Sequence, residues 1–260
     1  MTNREKYNFD FFTLNNYSRM IELALEQDFI FELFKEEYDW SKKIVLWRHD
    51  VEFSPYIALE MAKKEANLGV KSTYFFQVHA ETYNLFERAI SDIALEIKSL
   101  GHEIGLHFDS HYWEDGRYCY SNRMGCEWLE RCIKRDARYF EDCIEVKPKV
   151  FSFHCTNDFI KSCENMSYGG LLNVYSFFFK RNFAYCADST GIWRYERLDD
   201  RLCDENIRHL QVLTHDAMWS RVVMSPRRRV FAAIDERAQR TKEWYDKTLI
   251  RFSAENIDEY

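Results

Sequence analysis

The chain has 260 residues, and a hydrophobic share of 46% is enough to bury the core of one large α/β domain. Only three prolines and eight glycines occur, and no linker interrupts the pattern, so a single domain over 1–260 is expected. The formal net charge of −7 argues against a nucleic acid or an anionic membrane as partner.

Strand and helix patterns then alternate along the chain. A helix near 15–26 is predicted within an N-terminal helical extension of about 40 residues. The apolar run 43–50 reads as a strand, and Ser54, Pro55 and Gly69 are the start and stop signals of a helix over 54–70. Further strands are predicted at 72–79, 102–109, 149–154, 182–189 and 208–216, and further helices at 88–101, about 122–142 and about 227–248. This alternation predicts a parallel sheet, either an open doubly wound sheet or a barrel.

Histidines and acids gather where the predicted strands end. Six of the eight histidines lie at or just beyond the last residue of a predicted strand. In α/β folds, functional residues collect at the carboxyl ends of the strands. The sequence therefore predicts one polar site at that edge of the sheet.

The donor types at this edge suit a catalytic zinc ion. Zinc in such sites takes three protein ligands, often two imidazoles and a carboxylate. The segment "GHEIGLHFDSH" (101–111) supplies His107 and His111, and "HDVE" after the first strand supplies Asp50 and Glu52. One acid would bind the metal, the other would take a proton from water, and His215 would protonate the leaving group.

At this point the segments resemble a known family. "LWRHDVEFS", "STYFFQ", "GHEIGLHFDSH", "KVFSFH", "YCADSTGIWR" and "LQVLTHD" are similar, in order and spacing, to motifs of the polysaccharide deacetylase superfamily, carbohydrate esterase family 4. The likeness covers about residues 43–220, and it is nearest to a bacterial subgroup met in surface-polysaccharide gene clusters. It implies a distorted, incomplete (β/α) barrel of six to eight mostly parallel strands with outer helices. It also implies a hydrolase that uses a divalent metal, with zinc the expected ion, to remove acetyl groups from amino sugars.

The resemblance assigns roles by position. It implies Asp50 as the catalytic base and His215 as the acid, with Glu52, His107 and His111 as metal ligands. It also implies that Leu213 lines the acetyl pocket and that Asp188 lies near the region that orients His215.

Three further residues are substrate-binding or supporting candidates by their positions at strand ends, with their roles left open: His49, Asp109 and His154. His49 is a ligand, a proton relay or a buried partner of Asp50, and Asp109 orients His107 or satisfies loop amides.

Two departures from the family pattern leave alternatives open. The first motif usually carries two aspartates, so Asp50 rather than Glu52 is an alternative metal ligand. The third motif normally brings an arginine, whereas "SFHCTND" has His154 and no arginine. A non-catalytic binding or scaffold protein in glycan biosynthesis is therefore the second hypothesis.

The expected compartment limits the substrate. The N-terminus lacks a signal-peptide pattern, no apolar stretch approaches the ~20 residues that cross a bilayer, and eight cysteines occur without a C-x-x-C pair. A cytoplasmic protein is expected, whose substrate is a small nucleotide-linked or lipid-linked amino sugar, with no nucleic acid and no membrane span.

Overall fold

The computed structural model describes residues 1–114 and 125–258. Within them, one nine-stranded sheet curls into a half-barrel surrounded by helices. The sheet order is β6-β7-β5-β4-β3-β2-β9-β8, and β1 pairs with the first half of β2. The strands are β1 Phe29–Glu32, β2 Lys43–Val51, β3 Thr73–Phe76, β4 Glu103–Asp109, β5 Val150–His154, β6 Ser167–Tyr168, β7 Leu171–Asn173, β8 Ala184–Ala187 and β9 His209–His215. Only the β6–β7 pair is antiparallel, which confirms the predicted distorted, incomplete (β/α) barrel.

The described helices surround this sheet. They are α1 Asn3–Lys6, α2 Leu14–Glu26, α3 Pro55–Asn67, α4 Arg88–Ser99, α5 His111–Glu114, α6 Cys126–Ile144, α7 Asp158–Ser162, α8 Phe177–Asn182, α9 Leu198–Cys203 and α10 Pro226–Arg251. None of the described helices is both long and apolar enough to span a membrane. The first residues of the predicted helix 122–142 lie outside the described part of the chain.

Local sequence explains the central elements. β2 is buried along nearly its whole length, as expected for an apolar strand covered on both faces of a parallel sheet. Ser54 caps α3 by accepting a hydrogen bond from the backbone N–H of Ile57 (3.3 Å), and Pro55 occupies the first turn. Gly105 on β4 leaves room for the Phe75 ring, which a β-carbon there would approach to 2.6 Å.

Three short strands were not predicted. β1 follows α2, so the first forty residues contribute a strand to the sheet as well as helices. β6 and β7 have two and three residues, too short for a periodic pattern to be visible in the sequence. The six strands that the sequence predicts are all present, although β3 ends three residues earlier than expected.

The two faces of the sheet carry different side chains. On β2, Val45 and Trp47 face the outer helices, whereas Ile44 and Leu46 belong to an apolar cluster inside the curl. Towards the carboxyl ends of the strands, this inner face changes from apolar to polar. Arg48 and Asp50 continue it on β2, and the candidate site begins there.

Candidate metal centre and active site

A cavity of about 380 Å³ opens beyond the carboxyl ends of the central strands. Its lining consists of Glu52, Phe53, Gln77, His79, Glu81, Thr82, Asp109, His111, His154 and Cys155. Strand register brings its floor together, because His107 pairs with Ser152 and Asp109 pairs with His154 across β4 and β5. On the other side of β2, Asp50 pairs with His215. The predicted edge of the sheet is thus a single polar site.

Three side chains at this cavity converge on one point. One ligand atom each from Glu52, His107 and His154 lies within 4.8 Å of the others, and no other such group of potential metal ligands occurs in residues 1–114 and 125–258. Glu52 Oε1 lies 3.1 Å from His107 Nε2 and 2.7 Å from His154 Nδ1. One carboxylate and two imidazoles form the ligand set of many catalytic zinc sites.

The hydrogen bonds behind His107 make this arrangement suit a cation. The carboxylate of Asp50 accepts from the Ser152 hydroxyl (3.1 Å), so the Ser152 oxygen accepts in turn from Nδ1–H of His107 (2.7 Å). In the neutral imidazole, Nε2 of His107 then carries a lone pair that faces the Glu52 oxygen. Glu52 Oε1 and His107 Nε2 lie 3.1 Å apart and face the same point, so the residues present fit a divalent ion held between them.

The pKa values indicate the same demand for positive charge. Burial alone would raise the pKa of the Glu52 carboxyl, but the His107 and His154 imidazoles hold it well below its usual range. Burial likewise opposes a charged His154, but Cys155 and Glu52 raise its pKa to about 10. A bound cation would replace the proton at this point, since metal ligands must be deprotonated.

Asp216 holds Glu52 in place, a role that the sequence did not reveal. Its buried carboxylate accepts hydrogen bonds from the backbone N–H groups of Glu52 (2.8 Å), Phe53 (3.2 Å) and Ser54. Burial raises the pKa of Asp216 above its usual value, and these hydrogen bonds offset only part of that rise. The sequence signal for this role was an acid directly after β9. Backbone N–H groups at the start of a helix such as α3 have no partner within the helix, so a nearby carboxylate can accept from them. The loop that carries Glu52 is therefore tied to the strand that carries His215.

His215 is held by Asp188. Asp188 Oδ1 lies 2.6 Å from His215 Nδ1, and the same carboxylate accepts from Trp219 Nε1 (2.8 Å). Since Asp188 accepts the Nδ1 proton, Nε2 is the nitrogen free to exchange protons, and it lies 4.0 Å from Glu52 Oε1. Burial opposes a charge on His215, but Asp188 and Glu52 raise its pKa to about 10.

Asp50 lies behind the cavity wall beside a buried cation. Arg48, two residues earlier on the same face of β2, places Nη1 3.5 Å from Asp50 Oδ1. Its Nη2 donates to the hydroxyls of Tyr175 (2.9 Å) and Tyr185 (3.4 Å). Burial opposes this charge, but Asp50 raises the pKa of Arg48 above its usual value. Arg48 thus stands next to Asp50 although the third motif has no arginine, a role hidden within a strand that reads as apolar.

His111 and Asp109 line the same cavity outside the group of three. The His111 side chain is 48% exposed, and its Nδ1 lies 3.2 Å from Asp109 Oδ1. Asp109 also accepts from the backbone N–H of His111 (2.9 Å). His154, whose role the sequence left open, takes the third position beside Glu52 and His107. Metal ligation by His111 stays a prediction.

His49 and Leu213 lie away from the cavity lining. His49 faces the helices, where Nε2 contacts Glu65 (2.7 Å) and Nδ1 contacts Thr214 (2.6 Å). Leu213 is buried, pairs with Arg48, and shares the face of His215 on β9. A substrate role for either residue stays a prediction.

Comparison with known proteins yields matches among solved structures alone. No family model and no curated protein matches the chain. A family 4 carbohydrate esterase from Bacillus anthracis is 14% identical, with a TM-score of 0.42 over 84% of this chain and 85% of that one. The peptidoglycan deacetylase PdaC from Bacillus subtilis is 12% identical, with a TM-score of 0.42 over 83% and 99%. A CE4 family pseudoenzyme from Bacillus anthracis is 13% identical, with a TM-score of 0.40 over 77% and 62%. Similarity at this level assigns neither a family nor an activity to the chain.

Proposed function

We propose that this protein is a metal-dependent hydrolase of the polysaccharide deacetylase superfamily that removes an acetyl group from an amino sugar. The observation that carries the proposal is the convergence of Glu52, His107 and His154 at one cavity, with Nε2 of His215 4.0 Å from Glu52 Oε1. A ligand set for a cation next to an oriented acid is the equipment that hydrolysis of an amide requires.

The side chains divide the reaction between them. Glu52, His107 and His154 would hold a divalent ion, with zinc the expected one, which would supply Lewis acidity towards the acyl group and the attacking water. Asp50 is assigned as the base that takes a proton from that water. His215, whose Nδ1 proton is held by Asp188, returns a proton from Nε2 to the departing amine as the C–N bond breaks.

The position of Arg48 favours this hydrolase over the binding-protein alternative. The alternative drew support from the missing third-motif arginine, which would leave Asp50 without a cationic neighbour. Arg48 is fully buried and lies 3.5 Å from Asp50, so a cation stands beside the proposed base. A module that only binds glycans needs neither this pair nor the His215–Asp188 pair.

The setting of the reaction forms part of the proposal. All cysteines within residues 1–114 and 125–258 are free thiols, as a reducing compartment would maintain them. We therefore assign the protein to the cytoplasm and to surface-polysaccharide biosynthesis. Its substrate would be a nucleotide-linked or lipid-linked amino sugar whose sugar ring enters the cavity.

The test combines metal analysis with a substrate screen. Purified protein should contain about one equivalent of zinc or take it up on titration. The loaded protein should release acetate from N-acetyl sugars or nucleotide-linked N-acetyl sugars, and a chelator should stop the release. Metal binding without acetate release from any of these compounds would support the binding-protein alternative. Absence of metal binding would refute both the metal centre and the hydrolase.

A further inference from the structure

One further histidine–carboxylate pair lies at the same cavity. His79 lines the cavity, and its Nε2 lies 2.9 Å from Oδ1 of Asp136, a fully buried residue of α6. The imidazole also stacks on Tyr112, with ring centres 3.5 Å apart and planes within 4° of parallel. These two contacts hold both the position and the plane of the ring. The proposed reaction does not use His79.

The contacts of Asp136 determine which nitrogen of His79 carries the proton. Oδ2 of Asp136 accepts a hydrogen bond from Trp113 Nε1 (3.1 Å), and Oδ1 accepts from His79 Nε2. In the neutral imidazole, Nδ1 is then an acceptor. No hydrogen bond to Nδ1 is formed within the described part of the chain, and the His79 side chain is partly open to the cavity.

The charges that line the cavity restrict which ligands can reach Nδ1 of His79. Glu52, Glu81 and Asp109 are among the lining residues, which include neither lysine nor arginine. A divalent ion held at Glu52 would carry two positive charges against the three carboxylates, so one negative charge of this acidic lining would remain. A phosphate placed inside this cavity would be repelled, whereas an uncharged polyhydroxylated ring would not.

We infer that His79 binds a hydroxyl group of the sugar, with Nδ1 accepting the hydroxyl proton while Asp136 and Tyr112 hold the ring. The inference rests on the proposed function and narrows its substrate: the ring inside the cavity is uncharged, and any phosphate of the precursor lies outside. His79 is then a specificity-determining residue, which separates a sugar from a simple acetyl compound.

The variant Asp136→Asn should move the proton of His79 from Nε2 to Nδ1 and keep the imidazole ring in place. Trp113 still donates to position 136, so the carbonyl oxygen of the new amide faces Trp113 and its NH₂ group faces His79. His79 Nε2 must then accept, and the proton moves to Nδ1. Two-bond ¹H–¹⁵N spectra of the imidazoles should show an Nε2–H tautomer in the unmodified protein and an Nδ1–H tautomer in the variant. The matched control is Trp113→Phe, which removes the other donor to Asp136 and should keep the Nε2–H tautomer.

Binding of di-N-acetylchitobiose to the zinc-loaded proteins, measured by calorimetry, decides the inference. His79→Ala should weaken binding about five- to tenfold, as loss of one hydrogen bond predicts. Asp136→Asn should weaken it less, because Nδ1–H can donate to the hydroxyl oxygen, and Trp113→Phe should stay within about twofold. Sugar binding that is equally strong in all four proteins would overturn the role of His79 and leave the proposed function standing. Failure of the unmodified protein to bind the sugar would overturn the proposed substrate class and this inference together.

Discussion

Glu52 and Glu65 each face histidines, yet their surroundings are opposite. Glu65 lies between the sheet and α3, is fully buried, and meets His49 (2.7 Å) and His102 (3.4 Å). Hydroxyl groups complete its shell, among them Ser72 Oγ at 2.5 Å. Each carboxylate oxygen of Glu65 thus accepts hydrogen bonds from protein groups. This cluster is closed and complete without a ligand.

The cluster at Glu52 is open and incomplete. Glu52 is 17% exposed in its side chain and lines a cavity, and its Oε1 lies 3.1 Å from His107 Nε2 and 2.7 Å from His154 Nδ1. The comparison teaches that a glutamate with two histidines is not by itself a metal site. What marks the site is the convergence of one carboxylate and two imidazoles beside an open cavity.

The largest expected effect comes from the matched pair Glu52→Gln and Glu65→Gln. Glu52→Gln removes a ligand, and since loss of an outer partner already costs about 10–100-fold in metal affinity or activity, the loss here should exceed about 10²-fold. Glu65→Gln should keep zinc stoichiometry but lower the free energy of unfolding by about 3–5 kcal/mol, because it breaks a buried charged network. Zinc titration and urea unfolding of both variants measure this contrast. If Glu65→Gln lost zinc as readily as Glu52→Gln, the distinction between the clusters would be wrong.

The next largest effect, on the rate of acetate release, separates the roles of Asp50 on β2 and Glu52 in the loop that follows it. Asp50→Asn should retain zinc and lower acetate release about 10²-fold, because it removes the proposed base. Kinetics and zinc content are measured on the same samples. Loss of zinc in Asp50→Asn, together with its retention in Glu52→Gln, would mean that the two acidic roles are exchanged.

The smallest effect is on acid stability and belongs to the closed cluster. Burial alone would raise the pKa of Glu65, but His49, His102 and Ser72 lower it from 4.5 to about 2. The carboxylate therefore stabilises the fold fully above about pH 5, and this contribution, on the order of 3 kcal/mol, is lost as the pH falls towards 2. Urea unfolding between pH 7 and pH 3 should show a steeper decline in the unmodified protein than in Glu65→Gln. Parallel declines would show that Glu65 is not the group responsible.

Much of the fold was predictable because its strands and helices have strong periodic signals. The six predicted strands follow from apolar runs, and the start of α3 follows from the Ser54-Pro55 pair. β6 and β7 were missed because strands of two and three residues are too short to show a pattern of their own. β1 was missed because it lies within the segment that was predicted to be a helical extension.

The location of the site could be predicted from the sequence, but the contacts between its residues could not. Residues at strand ends had to meet, and Asp188 meets His215 in this way. The spacing of His107 and His111 suggested a pair of ligands, whereas cross-strand register brings His154 to His107 instead. His79 and Asp216 were not recognised, because each acts through a partner that is distant in the chain. Arg48 was not recognised, because it lies within a strand whose sequence is otherwise apolar.

The measurement that tests the metal centre most directly is zinc affinity in His154→Ala compared with His111→Ala. The group of Glu52, His107 and His154 predicts that His154→Ala loses zinc affinity by more than about 10²-fold. His111→Ala, which alters an exposed side chain outside that group, should stay within about threefold of the unmodified protein. Retention of zinc by His154→Ala and its loss from His111→Ala would contradict the account and assign the second imidazole to His111.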